Sequence, residues 1–156
     1  MTKDFHTNIS QITLNYQRKV KASDRPKIKS SRQAYQLFRD NWDDMTINLR
    51  EEFKILLLDR NNCCMGIVPI AQGGVSGVSV DTKLIFASAL KARACAIILG
   101  HNHPSGGLKA SRADIGLTQK IVKGAKYLDL DILDHIIVTD EDYLSLADNH
   151  SVSFTP

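Results

Sequence analysis

Two histidines, a serine and an aspartate stand close together in the second half of the chain. His101 and His103 lie in the run His-Asn-His-Pro-Ser-Gly, and Ser111 and Asp114 follow shortly after it. Two imidazoles and one carboxylate make three protein ligands, which leaves the fourth position of a tetrahedral zinc ion open to water. An open position is typical of catalytic rather than structural zinc, so these residue types predict a catalytic zinc centre.

The elements on both sides of the histidines would bring these ligands together. The apolar run 94–100 predicts a buried strand. Side chains two apart on an extended segment point the same way, so His101 and His103 can aim at one point as the strand ends.

After the histidines the chain must turn and begin a helix. Pro104 forbids helix at the residue before it, and Gly106-Gly107 favours a turn. Ser111 then has the character of a helix N-cap, with Asp114 at the third helical position. The first turn of that helix can therefore fold back toward the histidines. The same spacing also fits a capping box, in which the Asp114 carboxylate turns back to the backbone of Ser111.

Hydrolysis also needs a proton acceptor beside the attacking water, and glutamate is the usual choice in zinc peptidases. The chain has three glutamates, of which Glu141 lies in an acidic run that predicts an exposed turn. Glu51 and Glu52 open the apolar strand 53–58 and alternate in facing, so at most one points at the metal. The hydroxyl of Ser111 either caps the helix or stabilises the oxyanion that forms during attack.

A further polar pair, Asp134 and His135, lies in the apolar run 130–138. These residues either orient a ligand imidazole from behind or form a satisfied pair within the core. The second interpretation is favoured, because buried polar residues are more often structural than functional.

The remaining patterns alternate between strands and helices. Period-two and apolar runs predict strands, and apolar residues at helical spacing behind capping residues predict helices. The predicted strands are an edge strand at 8–20, a hairpin at 51–59 and 63–70, strands at 94–100 and 130–138, and short strands within 142–154. The predicted helices are 31–43, capped by Ser31, 81–91, capped by Asp81, and 111–126, capped by Ser111. This order predicts an α/β domain with a mixed β-sheet flanked by helices.

Composition limits the class of protein. The chain has 156 residues, 43% hydrophobic and 24% charged, as expected for one globular domain. Three cysteines without a Cys-x-x-Cys spacing predict neither a disulfide framework nor a thiolate metal site. We expect a cytoplasmic protein without membrane association, because no signal peptide and no apolar run of about 20 residues is present.

Basic residues are concentrated near the N-terminus. The net charge is only +3, but residues 17–32 hold seven Lys or Arg against one Asp. Such a run is usually a solvated linker, and the alternative is an arm that contacts phosphates. We therefore divide the chain into residues 1–30, an N-terminal edge strand and basic linker, and residues 31–156, which form the domain.

The order of the site residues resembles a known family motif. Glu51, then His101-x-His103, then Ser111-x-x-Asp114 resembles the JAMM (MPN+) metallopeptidase motif. Within that superfamily the chain is similar to the RadC family over about residues 30–148. The segments that carry this second resemblance are 51–59, 73–83, 101–106, 111–114 and 133–138, with Tyr143 and Ser145.

The resemblance implies a mixed sheet flanked by helices, similar in architecture to cytidine deaminases. It implies one zinc ion held by His101, His103 and Asp114. Glu51 would be the general base, and Ser111 would help to stabilise the tetrahedral intermediate. The implied reaction is hydrolysis of an amide or isopeptide bond in a protein or peptide-like substrate.

The chain departs from the family pattern in three places. Ala110 precedes Ser111 where RadC-like sequences usually have proline, and Asp81-Thr82-Lys83 replaces a usual His-Pro-Arg. Lysine keeps the charge of arginine but lacks its bidentate geometry, which concerns substrate contacts rather than the metal site. Many RadC proteins also carry an N-terminal helix-hairpin-helix region, and we expect none in this chain.

The leading hypothesis is a zinc-dependent metallopeptidase or isopeptidase of unknown substrate and oligomeric state. The alternative is a DNA-associated repair or recombination protein, supported by the basic run 17–32. A non-catalytic structural module is least favoured because all of the ligands are present. A zinc deaminase is excluded because its His-x-Glu and Pro-Cys-x-x-Cys signature is missing.

Overall fold

The computed structural model describes residues 9–154, and within this range the chain forms one five-stranded sheet with three α-helices. In chain order the elements are α1 (Ser31–Asp40), β1 (Glu52–Leu58), β2 (Cys64–Gln72), α2 (Thr82–Ala92), β3 (Ala96–Asn102), α3 (Arg112–Lys126), β4 (Asp131–Val138) and β5 (Tyr143–Ser145). Within the segment 142–154, for which short strands are predicted, β5 is the strand that the described structure contains.

The sheet is mixed, as predicted. Its strand order is β2-β1-β3-β4-β5, and β3 with β4 is the parallel pair, whereas the other neighbours are antiparallel. β1 and β2 form the expected hairpin. The central strand β3 is buried along its whole length, and its last residues pair with β1 on one side and β4 on the other.

Each face of the sheet has its own apolar core. Ile55 and Leu57 of β1 point to the face covered by α2 and α3, where they meet Ile85 and Ile121. The intervening residues of β1 point to the other face, which α1 covers with Ala34, Phe38 and the following Trp42. Burial on both faces explains why the sequences of β1 and β3 are continuous apolar runs rather than alternating ones.

The helices begin close to their predicted first residues. Asp81 caps α2 and Ser111 caps α3, as predicted. The predicted cap of α1, Ser31, is wrong by one residue, since the hydroxyl of Ser30 accepts the hydrogen bond from the backbone N–H of Gln33. α1 ends at Asp40 rather than near residue 43. Among residues 9–154, no helix combines the length and the apolar character that a bilayer crossing requires.

The edge strand predicted over 8–20 is not found in residues 9–20, and residue 8 lies outside the described range. Ile12 and Leu14 are 89% and 85% exposed. In the described structure, no neighbouring strand pairs with residues 9–20, and their alternating apolar side chains do not pack on the core. The segment therefore forms no β-sheet hydrogen bonds. Period-two spacing predicts a strand only when a partner is available.

The basic run 17–32 is not a fully solvated linker. The backbone of Pro26 and Ile28 pairs with residues 62–64 of the hairpin turn, and the Ile28 side chain is buried. The guanidinium of Arg25 contacts the Asp59 carboxylate at 3.2 Å. These backbone hydrogen bonds, the buried Ile28 side chain and the Arg25–Asp59 ion pair attach residues 25–28 to the hairpin.

Gly100 permits close contact between α1 and the strand that carries His101. A Cβ atom placed on Gly100 would lie 2.6 Å from the ring of Phe38, which is fully buried. We expect Gly100→Ala to lower the free energy of unfolding by about 1–3 kcal/mol, since an overpacked core must distort. Gly66→Ala in β2 is the matched control, because its Cβ would meet nothing within 4 Å. Denaturant unfolding of both variants tests this, and equal stabilities would contradict it.

Asp59 organises the hairpin turn and is expected to make stability depend on pH. Its carboxylate accepts hydrogen bonds from the N–H groups of Asn61 and Cys63 and from Arg25. Burial alone would raise the pKa of Asp59, but these donors together hold it below its usual 3.8. The stabilisation is therefore present above pH 3.8 and is lost as the pH falls through the lower folded-state pKa.

We expect Asp59→Asn to be less stable than the wild type by about 1–2 kcal/mol at pH 7, because charge-assisted hydrogen bonds are lost. The difference should shrink below pH 3.8 in denaturant unfolding measured from pH 7 to pH 2. Asp131→Asn is the control, since Asp131 is exposed at the start of β4. A difference that stays constant with pH would contradict the prediction.

Candidate metal centre

Three of the predicted site residues converge at the end of the central strand. His101 is the penultimate residue of β3, His103 follows the strand, and Asp114 lies in the first turn of α3. The Nε2 atoms of the two histidines are 2.9 Å apart. Oδ1 of Asp114 is 3.3 Å from Nε2 of His101, and Oδ2 is 3.7 Å from Nε2 of His103. One atom from each side chain thus lies within 4.8 Å of the others, which is close enough for one metal ion.

A tight turn after β3 sets the orientation of His103. Its backbone N–H donates to Val138, which extends the pairing with β4 by one residue. Gly106 then adopts φ +77°, a conformation that glycine allows at little cost, and its N–H donates to the His103 carbonyl. The turn brings the Gly107 carbonyl to 2.7 Å from Nδ1 of His103. Because a carbonyl only accepts, Nδ1 carries the hydrogen, and a neutral His103 presents the lone pair of Nε2 to the site.

The start of α3 holds Asp114 in place with a capping box. The Ser111 hydroxyl accepts the Asp114 N–H at 3.1 Å, and Oδ2 of Asp114 accepts the Ser111 N–H at 2.7 Å. The sequence left a cap and a ligand as alternatives for Asp114, yet the structure shows that they are compatible. The box occupies Oδ2, while Oδ1 is the oxygen nearer to His101.

The charges of the cluster are strongly coupled. Burial would raise the pKa of Asp114, but hydrogen bonds with His101 and His103, and the charge of His101, hold it far below its usual value. The hydrogen bond with the Asp114 carboxylate raises the pKa of His103, and burial lowers it. The Gly107 carbonyl and the charge of Glu51 also raise this pKa. Asp114 is therefore an anion, and a metal ion would compete with a proton for His103.

Glu51 and Glu52 face opposite ways, as their alternation predicted. Glu51 lies just before β1 and lines a cavity of about 470 Å³ together with His101, His103 and Asp114. Ser111 lines the same cavity. Glu52 is buried elsewhere, with Oε1 3.0 Å from Nε of Arg50 and Oε2 3.5 Å from Nζ of Lys54.

Asn102, which sequence reasoning missed, positions the segment that carries Glu51. It is fully buried between the two histidines in sequence and points to the opposite face of β3. Its side-chain oxygen accepts the Glu52 N–H at 2.7 Å, and its amide donates to the carbonyls of Ile47 and Arg50 at 2.6 and 2.8 Å. The sequence did contain a signal for this role, because Asn102 follows directly on a predicted buried strand, where the polar atoms of an asparagine need hydrogen-bond partners.

His135 is buried directly behind His101, and its Nε2 lies 2.7 Å from Nδ1 of that histidine. Full burial, and the charge of His101 nearby, lower the pKa of His135 well below its usual value, so it is neutral. Asp134 and His135 are both buried and hydrogen-bonded, as the favoured interpretation of a satisfied core pair has it, and the orientation of a ligand imidazole by His135 stays a prediction. Asp134 accepts the His135 N–H at 2.7 Å, and it also accepts the Ser145 hydroxyl at 2.6 Å and the Ala147 N–H at 3.0 Å, which holds the segment after β5.

Comparison with known proteins identifies the family. The sequence model of the RadC-like JAB domain matches residues 28–151. The chain belongs to this family. Its relatives include the UPF0758 proteins of Flavobacterium johnsoniae (38% identity over 122 residues), Porphyromonas gingivalis (39% over 125) and Methanosarcina mazei (38% over 122).

These alignments cover 78%, 80% and 78% of this chain and 52%, 54% and 52% of the respective relatives. The RadC-like chain thus spans about half the length of the curated relatives that it matches. The resemblance inferred from the motif residues is confirmed at the level of the family.

We expect Asn102→Ala to destabilise the domain and loosen the segment before β1. The substitution leaves the Glu52 N–H and two carbonyls without their buried partner, at a cost of about 1–3 kcal/mol for each unpaired group. Denaturant unfolding should show this loss, and hydrogen exchange at the Glu52 amide should become faster. Asn48→Ala is the matched control, since Asn48 makes an exposed hydrogen bond with Asp140. Equal behaviour of the two variants would contradict the role of Asn102.

Proposed function

We propose that this RadC-like domain is a zinc-dependent metallohydrolase that cleaves amide or isopeptide bonds. The observation that carries the proposal is the convergence of His101, His103 and Asp114 in a cavity that Glu51 and Ser111 also line. Three candidate ligands, a candidate base and a candidate oxyanion donor thus share one space, which is the arrangement that metal-assisted hydrolysis requires.

The donor set suits zinc. Imidazole nitrogen and carboxylate oxygen are both common zinc ligands, and three protein ligands are typical of catalytic sites. The two Nε2 atoms face each other at 2.9 Å beside an anionic carboxylate, an arrangement that a bound cation would stabilise. When bound, a zinc ion supplies Lewis acidity, which lowers the pKa of water and polarises a carbonyl oxygen.

Glu51 is the proposed general base. Its half-buried carboxylate lines the cavity from the side of β1, and hydrogen bonds with Gly73 and Gly74 fix its backbone. The carboxylate accepts a proton from water as the water oxygen attacks the carbonyl carbon. It then returns this proton to the leaving nitrogen as the C–N bond breaks, so one residue serves as base and acid.

Ser111 is the proposed donor to the oxyanion. Its Oγ already accepts the N–H of Asp114, which leaves the hydroxyl hydrogen available for a substrate atom in the cavity. The helix cap and the oxyanion role are thus compatible in one side chain. A donor placed before the reaction begins stabilises the developing charge without reorganisation.

The cavity walls favour a protein or peptide-like substrate. Apolar side chains of Phe53, Val78, Val80 and Leu117 line it beside the polar groups. Its volume of about 470 Å³ is within the usual range of ligand pockets. The DNA-associated alternative stays a prediction, because its support is the charge of residues 17–32.

Metal content and hydrolysis test this function together. Elemental analysis of the purified protein should find near-stoichiometric zinc in the wild type and its loss in His103→Ala. Glu51→Gln should keep zinc but lose about 10²–10⁴-fold in the rate of peptide hydrolysis, because the proton acceptor is gone. A mixture of synthetic peptides, analysed by mass spectrometry, serves as the probe.

Glu141→Gln is the matched control and should hydrolyse peptides at the wild-type rate, since Glu141 is exposed and does not line the cavity. Retained hydrolysis in Glu51→Gln would refute the assignment of the base. A wild-type protein that binds no zinc after reconstitution would refute the proposed function as a whole.

A further inference from the structure

A continuous chain of hydrogen bonds lies behind His101 and returns to the helix that carries Asp114. Nδ1 of His101 is 2.7 Å from Nε2 of His135, and Nδ1 of His135 is 2.6 Å from Oγ1 of Thr118. Oγ1 of Thr118 in turn lies 2.6 Å from the backbone carbonyl of Asp114. Thr118 and His135 are fully buried, and His101 is 2% exposed, so water does not replace these partners.

The contact between Thr118 and Asp114 fixes the donor and the acceptor of every hydrogen bond in this series. A backbone carbonyl has no hydrogen to give, so at 2.6 Å the Thr118 hydroxyl must be the donor to Asp114. The hydroxyl has one hydrogen, and it donates this hydrogen to the Asp114 carbonyl. In its contact with His135 it must therefore accept the Nδ1–H. A neutral imidazole carries one N–H, which leaves Nε2 of His135 as an acceptor for Nδ1–H of His101.

The position of the hydrogen on His101 decides which of its ring nitrogens can bind a metal ion. With its hydrogen on Nδ1, a neutral His101 presents a bare Nε2 toward Asp114 and His103. In the metal-free protein a proton on Nε2 of His103 lies between the two Nε2 atoms, since two bare nitrogens 2.9 Å apart would repel each other, and a bound metal ion would replace that proton. If every donor and acceptor in this series of hydrogen bonds were exchanged, His101 would carry its hydrogen on Nε2. That hydrogen would then occupy the position of a metal ion. The Thr118–Asp114 contact opposes this second arrangement, because it would place two acceptors 2.6 Å apart.

We propose that Thr118 and His135 are positioning residues that hold His101 in the tautomer able to bind a metal ion. This inference rests on the proposed metal centre but concerns the metal-free protein as well. Neither residue lines the cavity, so they act through His101 and not on a substrate. Asp114 contributes to the centre twice, because its carboxylate faces the histidines while its carbonyl orients His101 from behind.

Removing one hydroxyl tests the inference. Thr118→Val keeps the shape of the side chain but removes the group that accepts from His135, whereas Thr118→Ser keeps a hydroxyl and is the matched control. Nitrogen-15 NMR of the metal-free proteins should report Nδ1–H on His101 in the wild type and in Thr118→Ser. In Thr118→Val the Nε2–H form of His101 should become populated.

The affinity for Zn²⁺ alone, measured by competition with a chromophoric chelator, is the second readout. Thr118→Val should bind zinc about 10–100-fold more weakly than the wild type, as expected when a group behind a ligand is lost. Thr118→Ser should bind with an affinity close to that of the wild type. Thermal unfolding of each variant shows that the comparison concerns folded protein.

An Nε2–H tautomer of His101 in the metal-free wild type would overturn the inference, even if no variant folds. Wild-type affinity together with an unchanged tautomer in Thr118→Val would overturn it as well. A wild type with Nδ1–H on His101 that hydrolyses no peptide would refute the proposed function and still support this inference.

Discussion

The structure depends on satisfying two polar side chains that are buried at the end of the central strand. His101 and Asn102 are adjacent on β3, and both are almost completely inaccessible to solvent. Since neighbouring side chains of a strand point to opposite faces, each residue needs partners on its own side of the sheet. The segments around β3 supply those partners, and in doing so they assemble the candidate metal centre.

The two faces contribute different parts of the site. Asn102 binds the backbone of the segment that ends at Glu52, which brings Glu51 to the rim of the cavity. His101 is bound by His135 from β4, and Phe53 of β1 lies against both imidazoles at ring distances of 6.2 and 5.5 Å. Gly100 allows α1 to pack onto β3 immediately before these residues. The His-x-His run therefore combines candidate metal ligands on one face with a structural anchor, Asn102, on the other.

Local spacing predicted much of the fold and of the site. Short-range signals such as an apolar run, a hairpin turn or a capping residue depend on neighbours in sequence, and they located β1, β2, α2 and α3 correctly. The candidate ligands His101, His103 and Asp114 were proposed in the same way, because they lie on two consecutive elements, and the structure brings them together. The shift of the α1 cap from Ser31 to Ser30 reflects two adjacent serines that are equally suited to the position.

Features that depend on distant pairing could not be predicted. The prediction of a strand over 8–20 was wrong for residues 9–20. Alternation of apolar and polar residues describes the two faces of a segment, but it does not show that a partner strand is available. The contact of His135 with His101 depends on the parallel register of β3 and β4, which joins residues 34 positions apart. In the sequence, nothing distinguishes Thr118 from other polar residues of a helix. Its role depends on the position of its hydroxyl between His135 and the Asp114 carbonyl, which only the structure gives.

The distribution of the ligands explains how metal binding and folding would support each other. His101 belongs to β3, and Asp114 belongs to α3, while the hydrogen-bonded chain through His135 adds β4 to the same unit. Three imidazoles and a carboxylate in a largely dehydrated space are costly unless their charges and lone pairs are satisfied. A cation bound by His101, His103 and Asp114 would satisfy them and at the same time link β3 to α3. A ligand that binds only the folded state stabilises that state by mass action, so the groups proposed for catalysis would also strengthen the packing of helix on sheet.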